Sequence, residues 1–138
     1  MRLVVDATVV ISALIANSKT RELIVTLDPD LLTPAFVHDE LENYHGLIVE
    51  KSGMEPRRVQ QFVDLIFQYI RVVPANDFHT HIEDADDAIG GTDPDDVLYV
   101  ACALALDAAL WSDDTDFEDQ DVVEVYSTSD VIDSFETR

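Results

Sequence analysis

Short β-branched runs alternate with helix-length segments along this chain, and that alternation restricts the fold more than any other feature. Residues 3–5 (L-V-V) form an apolar run ending at Asp6, which reads as a short buried strand. Residues 8–16 (T-V-V-I-S-A-L-I-A) read as a helix with Thr8 as N-cap. A second short helix is expected over 20–27, closed by Asp28-Pro29-Asp30, then a minimal strand over 31–33. Pro34 is placed to open a long helix over roughly 35–51, which Gly53 breaks. Pro56 starts another, to about Tyr69, and 70–73 is a strand stopped by Pro74. Residues 77–89 are acidic and helical in pattern, and Gly90-Gly91 is a break. Asp93-Pro94 opens a helix to about Leu106, with Asp93 as N-cap. Strands over 109–112 and 122–125 and a helix over 129–135 complete the chain. Such alternation implies an α/β fold: a parallel sheet flanked by helices on both faces, joined by right-handed crossovers. The 138 residues suit a single domain, 1–138, with one core.

Charge is the second constraint. There are 29 acids against 8 bases, a net charge of −21. Self-repulsion of that size destabilises a compact state unless salt screens it; the Debye length falls to ~3 Å at 1 M. A halophile's cytoplasm is the natural setting, and most of the acids then read as solvated surface. Acid count is therefore no argument for a metal site, and position has to carry it. No calcium loop of the D-x-[DN]-x-[DN]-G type is present. The single cysteine, Cys102, excludes an internal disulfide and reads as a small core residue. No apolar run approaches ~18 residues and the N-terminus lacks a signal-peptide layout, so the expectation is a cytoplasmic protein without a membrane span. His38, His45, His79 and His81 lack zinc-protease spacing and read as solvated. Lys51, Arg57 and Arg58 gather between two helices and read as solvated helix ends, with nucleic-acid contact as the alternative.

Ligands of open parallel sheets bind beyond the carboxyl ends of strands, at a switch point. Two strands here run directly into acids: the first into Asp6, the fourth into Asp113-Asp114. Asp6 lies between apolar segments, where a surface acid does not belong; it reads as a ligand or catalytic group, with a helix cap as the structural alternative. On a helical wheel, Glu40 falls inside an apolar arc made by Phe36, Val37, Leu41, Tyr44, Leu47 and Ile48. A core-facing glutamate needs a cation or a buried arginine. Asp96 sits at about the third position of an almost wholly apolar helix, V-L-Y-V-A-C-A-L-A-L. Position alone does not separate a ligand there from an acid that the helix dipole favours. In S-D-D-T-D-F, Asp114 and Asp116 are the better candidates for a hard cation, an Asx-turn being the alternative, and Asp113 reads as solvated.

With these residues in hand, the chain resembles the PIN-domain ribonucleases. The resemblance rests on V-V-D-A-T-V-V-I-S-A-L, T-P-A-F-V-H-D-E-L-E-N-Y, D-P-D-D-V-L-Y-V-A-C-A-L-A-L and L-W-S-D-D-T-D-F, in family order, with the final V-V-E-V-Y-S-T-S-D-V-I. It implies sheet order 3-2-1-4-5. It also implies a catalytic set of Asp6, Glu40, Asp96, Asp114 and Asp116, with Asp6, Asp96 and Asp114 holding Mg²⁺ or Mn²⁺. Thr8 and Ser112 support them; Thr8 stands where many members have asparagine. The implied activity is metal-dependent hydrolysis of RNA, as the toxin of a toxin–antitoxin pair, with an antitoxin and a second copy of the chain as partners. A housekeeping RNA-processing nuclease and a non-catalytic interaction module are the alternatives.

Overall fold

The computed structural model describes residues 2–15, 19–27, 29–89 and 94–136. Strands β1 (Arg2–Val5), β2 (Asp30–Pro34), β3 (Ile70–Val73), β4 (Ala109–Trp111) and β5 (Val125–Tyr126) form one sheet in the order β3-β2-β1-β4-β5. Every neighbouring pair is parallel. The expected α/β class and the 3-2-1-4-5 order are both present.

Strands buried on both faces are apolar throughout, and Leu3, Val4, Val5, Leu110 and Trp111 have no exposed surface. Helices α1 (Ala7–Ile15) and α2 (Lys19–Thr26) connect β1 to β2. Helices α3 (Val37–Asn43), α4 (His45–Ser52) and α5 (Pro56–Ile66) connect β2 to β3. Then α6 (Ile82–Ile89) and α7 (Pro94–Ala105) carry the chain back across the sheet to β4. Right-handed crossovers put α1–α5 on one face and α6–α7 on the other, where α7 packs on β1, β2 and β4. The chain reverses its direction of travel between β1 and β4, so the switch point lies at their carboxyl ends. Helix α8 (Thr128–Val131) runs into a π-helical turn, Ile132–Glu136. Among the described residues no helix is long and apolar enough to cross a membrane.

Several boundaries differ from expectation. Pro34 ends β2 instead of opening a helix, because its fixed φ suits a strand terminus, and Ala35 N–H then bonds Val73 O at 2.9 Å. The long helix over 35–51 is two helices divided at Tyr44 (φ −97°, ψ 7°). Gly53 closes the second as expected, at φ 70°, in the left-handed region that glycine tolerates. Residues 77–81 are 3₁₀ turns ahead of α6. The fifth strand starts at Val125, since the Gln120 side chain takes the backbone of Val123 instead, at 2.9 Å to its N–H and 3.0 Å to its carbonyl. The Gly90-Gly91 break, the Asp93 cap, Asp28 and the expected helix end at Ala16 lie outside the described residues.

Candidate metal centre

Asp6 leaves β1 at the switch point and is 4% exposed. Its Oδ1 accepts the Val9 N–H (3.0 Å) and the Thr8 hydroxyl (2.8 Å). Asp6, not Thr8, is therefore the residue that caps α1; Thr8 lies inside the helix, and its exposed side chain braces the cap. The other oxygen, Oδ2, accepts the buried Ser112 hydroxyl at the end of β4. Ser112 Oγ also accepts the Asp114 N–H at 3.0 Å, so one hydroxyl ties the ends of β1 and β4 together. Burial pushes the Asp6 pKa above its ordinary value; the bonds from Ser112, Val9 and Thr8 pull it back, and the charge of Asp114 adds to the rise.

Asp114 turns the chain into a 3₁₀ segment, Thr115–Asp119, and caps it by accepting the Asp116 N–H at 2.9 Å. That turn aims Asp114 and Asp116 at the first turn of α7, where Asp96 sits. Carboxylate oxygens of Asp96, Asp114 and Asp116 all lie within 4.8 Å of one another, and each residue is half-buried. The Asp96 Oδ2 is buried and takes no hydrogen bond from the described residues. Oxygens ~2.1 Å from an octahedral Mg²⁺ stand roughly 3 to 4 Å apart, so this spacing suits a small hard cation. Asp6 stands buried at the adjoining end of β1, where the charge of Asp114 acts on it, and the hydrogen bonds that its two oxygens accept leave lone pairs for an ion.

Glu40 is half-buried on α3 and accepts a hydrogen bond from the Tyr99 hydroxyl of α7. A phenol is thus one partner of this carboxylate. Val37, Leu41 and Ile48 of the expected apolar arc are buried, whereas Tyr44 and Leu47 are 46% and 40% exposed. The break at Tyr44 shifts the helical phase, so a single wheel does not describe both helices.

Asp113 is exposed, as the solvated reading expects, but it also has a structural role. Its carboxylate accepts the Thr128 N–H (2.7 Å) and hydroxyl (2.6 Å), and Trp111 Nε1–H bonds the same Thr128 Oγ1 at 3.1 Å. Asp113 therefore anchors α8 to the site loop, a contact of |i−j| = 15 that local pattern does not reveal. Tyr99 also went unsingled in the sequence; its signal was a lone phenol in an aliphatic helix. The basic group is a surface feature: Arg58 and Arg21 flank the Phe62 ring at 5.3 and 4.8 Å. Cys102 is fully buried, and burial pushes its thiol pKa up to about 12. His38 and His79 are exposed, His45 and His81 half-buried.

A parallel α/β sheet with carboxylates converging at its switch point defines the class of protein, and these acids are placed where they could hold a metal ion. A family model described as "PIN domain" matches residues 4–128, and the chain belongs to the PIN-domain family. Solved structures share the fold at low sequence identity. VapBC2 from Rickettsia felis bound to a promoter DNA fragment matches with TM-score 0.70 and 11% identity, covering 92% of this chain and 98% of that one. DNA-bound VapBC from Salmonella typhimurium matches with TM-score 0.72 and 12% identity, over 92% and 98%. A toxin–antitoxin complex from Klebsiella pneumoniae matches with TM-score 0.64 and 12% identity, over 90% and 95%. No curated protein sequence matches this chain significantly.

Proposed function

We propose that this chain is a metal-dependent endoribonuclease and the toxin of a toxin–antitoxin pair, acting in the cytoplasm. The observation that carries the reading is the convergence of Asp96, Asp114 and Asp116 oxygens within 4.8 Å, beside buried Asp6, at the switch point of a PIN fold. Membership of a family whose members are in general nucleases supports hydrolysis. The resemblance of the sequence to PIN ribonucleases supports RNA as the substrate. The toxin–antitoxin complex among the solved relatives supports an antitoxin as partner, and a homodimer belongs to the same proposal.

Asp96, Asp114 and Asp116 would hold Mg²⁺ or Mn²⁺, with Asp6 at the adjoining end of β1 as the further ligand that the resemblance implies. The ion, when bound, neutralises phosphate charge and acidifies water for attack on phosphorus. Ser112 and Thr8 fix Asp6 by donating to it, and their bonds oppose the upward push of burial on its pKa. Ser112 also holds the Asp114 turn in register. Glu40 orients the attacking water. No nucleophilic side chain is needed. With a net charge of −21, the chain has little long-range attraction for RNA, so the cation and local contacts supply the binding.

The test is cleavage of RNA in multi-molar KCl with Mn²⁺, comparing wild type with Asp6→Asn and Asp96→Asn. Loss of cleavage in both variants is expected; equal activity in all three contradicts the site. A short open reading frame beside this one, whose product suppresses cleavage, is expected for the toxin reading.

A further inference from the structure

Glu40 and Asp96 come from elements far apart in sequence, and one side chain links their neighbourhoods. Tyr99 follows Asp96 by three residues on α7, so the two share a face of that helix. Tyr99 is 2% exposed, and its hydroxyl donates to Glu40 Oε1. A leucine would fill this position in the aliphatic run without a polar group to satisfy. A buried phenol is tolerated because the Glu40 carboxylate accepts the hydrogen bond that its hydroxyl donates. Burial first, then the Glu40 bond and the charges of Glu40 and Asp6, push the Tyr99 pKa far above that of an ordinary phenol. Tyr99 therefore remains a neutral donor, and its oxygen lies close enough to Asp6 to feel that charge.

We propose that Tyr99 is a positioning residue of the site: its hydroxyl fixes one oxygen of Glu40 and so sets the direction in which Glu40 faces the attacking water. Glutamate has three side-chain torsions, and a half-buried one on a helix surface samples several rotamers without a fixed partner. The phenol stands on a deeply packed helix, α7, of which Val97, Val100, Ala101, Cys102 and Ala103 are also buried. Tyr99 touches neither substrate nor ion; it acts through Glu40. This inference rests on the nuclease reading.

The experiment is a double-mutant cycle on the full chain with Tyr99→Phe, Glu40→Gln and the double variant. Cleavage kinetics are read on a labelled single-stranded RNA with Mn²⁺ in multi-molar KCl, and Mn²⁺ affinity and unfolding midpoints are recorded alongside. Tyr99→Phe is expected to lower kcat about 10- to 100-fold, the scale on which misplaced groups act. KM and Mn²⁺ affinity are expected to stay within about threefold, because Tyr99→Phe leaves the Asp96–Asp114–Asp116 group intact. Glu40→Gln, which leaves Tyr99 in place, is expected to show the same split, and the double variant to be no slower than Glu40→Gln alone. An unchanged kcat in Tyr99→Phe overturns the assignment, as do losses that multiply in the double variant. Wild type that cleaves no RNA overturns the nuclease reading and this inference with it, an outcome visible before any variant is made.

Discussion

Replacing Ser112 by alanine removes one oxygen and breaks two hydrogen bonds, one joining β4 to the end of β1 and one holding the turn that follows β4. The hydroxyl is 2% exposed, donates to the buried Asp6 carboxylate and accepts the Asp114 N–H at 3.0 Å. A hydrogen bond to a charged group contributes about 1.5–3 kcal/mol, and a neutral one about 1 kcal/mol. The metal-free variant should therefore lose about 3 kcal/mol, a large part of the 5–15 kcal/mol typical of a domain. At roughly 3 °C per kcal/mol for a chain of this length, Tm should fall by about 10 °C. Urea unfolding followed by the fluorescence of Trp111, the chain's single tryptophan and fully buried beside Ser112, reads the change directly. The loss should be greatest at neutral pH. Burial already holds the Asp6 pKa above its ordinary value and the Ser112 bond opposes that rise, so removing Ser112 raises it further. The variant then binds a proton more tightly when folded than wild type does, and the deficit shrinks as pH falls through the Asp6 titration. A Ser112→Ala protein within about 1 kcal/mol of wild type at neutral pH, or a deficit that grows on acidification, refutes the linkage.

Three further outcomes follow from the same contacts. Asp6→Asn, in the presence of a chelator, should unfold at higher urea than wild type at neutral pH, with the gap closing on acidification. The folded-state pKa of Asp6 is raised, so its ionised form weakens the fold above that pKa and the weakening disappears below it. Asp113→Ala should lower stability by about 1–2 kcal/mol through loss of the Thr128 contacts while leaving Mn²⁺ affinity unchanged, as calorimetry would show. With a net charge of −21, Tm in metal-free buffer should rise steadily between about 0.1 and 2 M KCl, since screening relieves self-repulsion; a flat or falling profile in scanning calorimetry contradicts that.

Much of the fold was legible because parallel strands buried on both faces read as continuous apolar runs, as Leu3–Val5 and Ala109–Trp111 do. The strand order was not legible from pattern; it came with the family resemblance. Asp6 stood out because no solvated role suits an acid between two apolar segments. Position alone could not separate Asp96 from a helix-dipole acid; the family resemblance raised it, and the fold brings it to Asp114 and Asp116. Tyr99 and Asp113 escaped because their partners, Glu40 and Thr128, lie 59 and 15 residues away, beyond any local periodicity. Helix phase failed at Tyr44, where a constant 100° step assumes a continuity that the backbone does not have.

The central claim is that Asp96, Asp114 and Asp116 form a cation site beside Asp6. Mn²⁺ gives a six-line electron paramagnetic resonance signal when free and loses it when bound, so titrating protein into Mn²⁺ at high KCl counts bound ions directly. Wild type should remove the signal, and Asp114→Asn should weaken the affinity at least about tenfold, on the order of 1.4 kcal/mol or more. Equal Mn²⁺ uptake by wild type and Asp114→Asn, or none by wild type, contradicts the account.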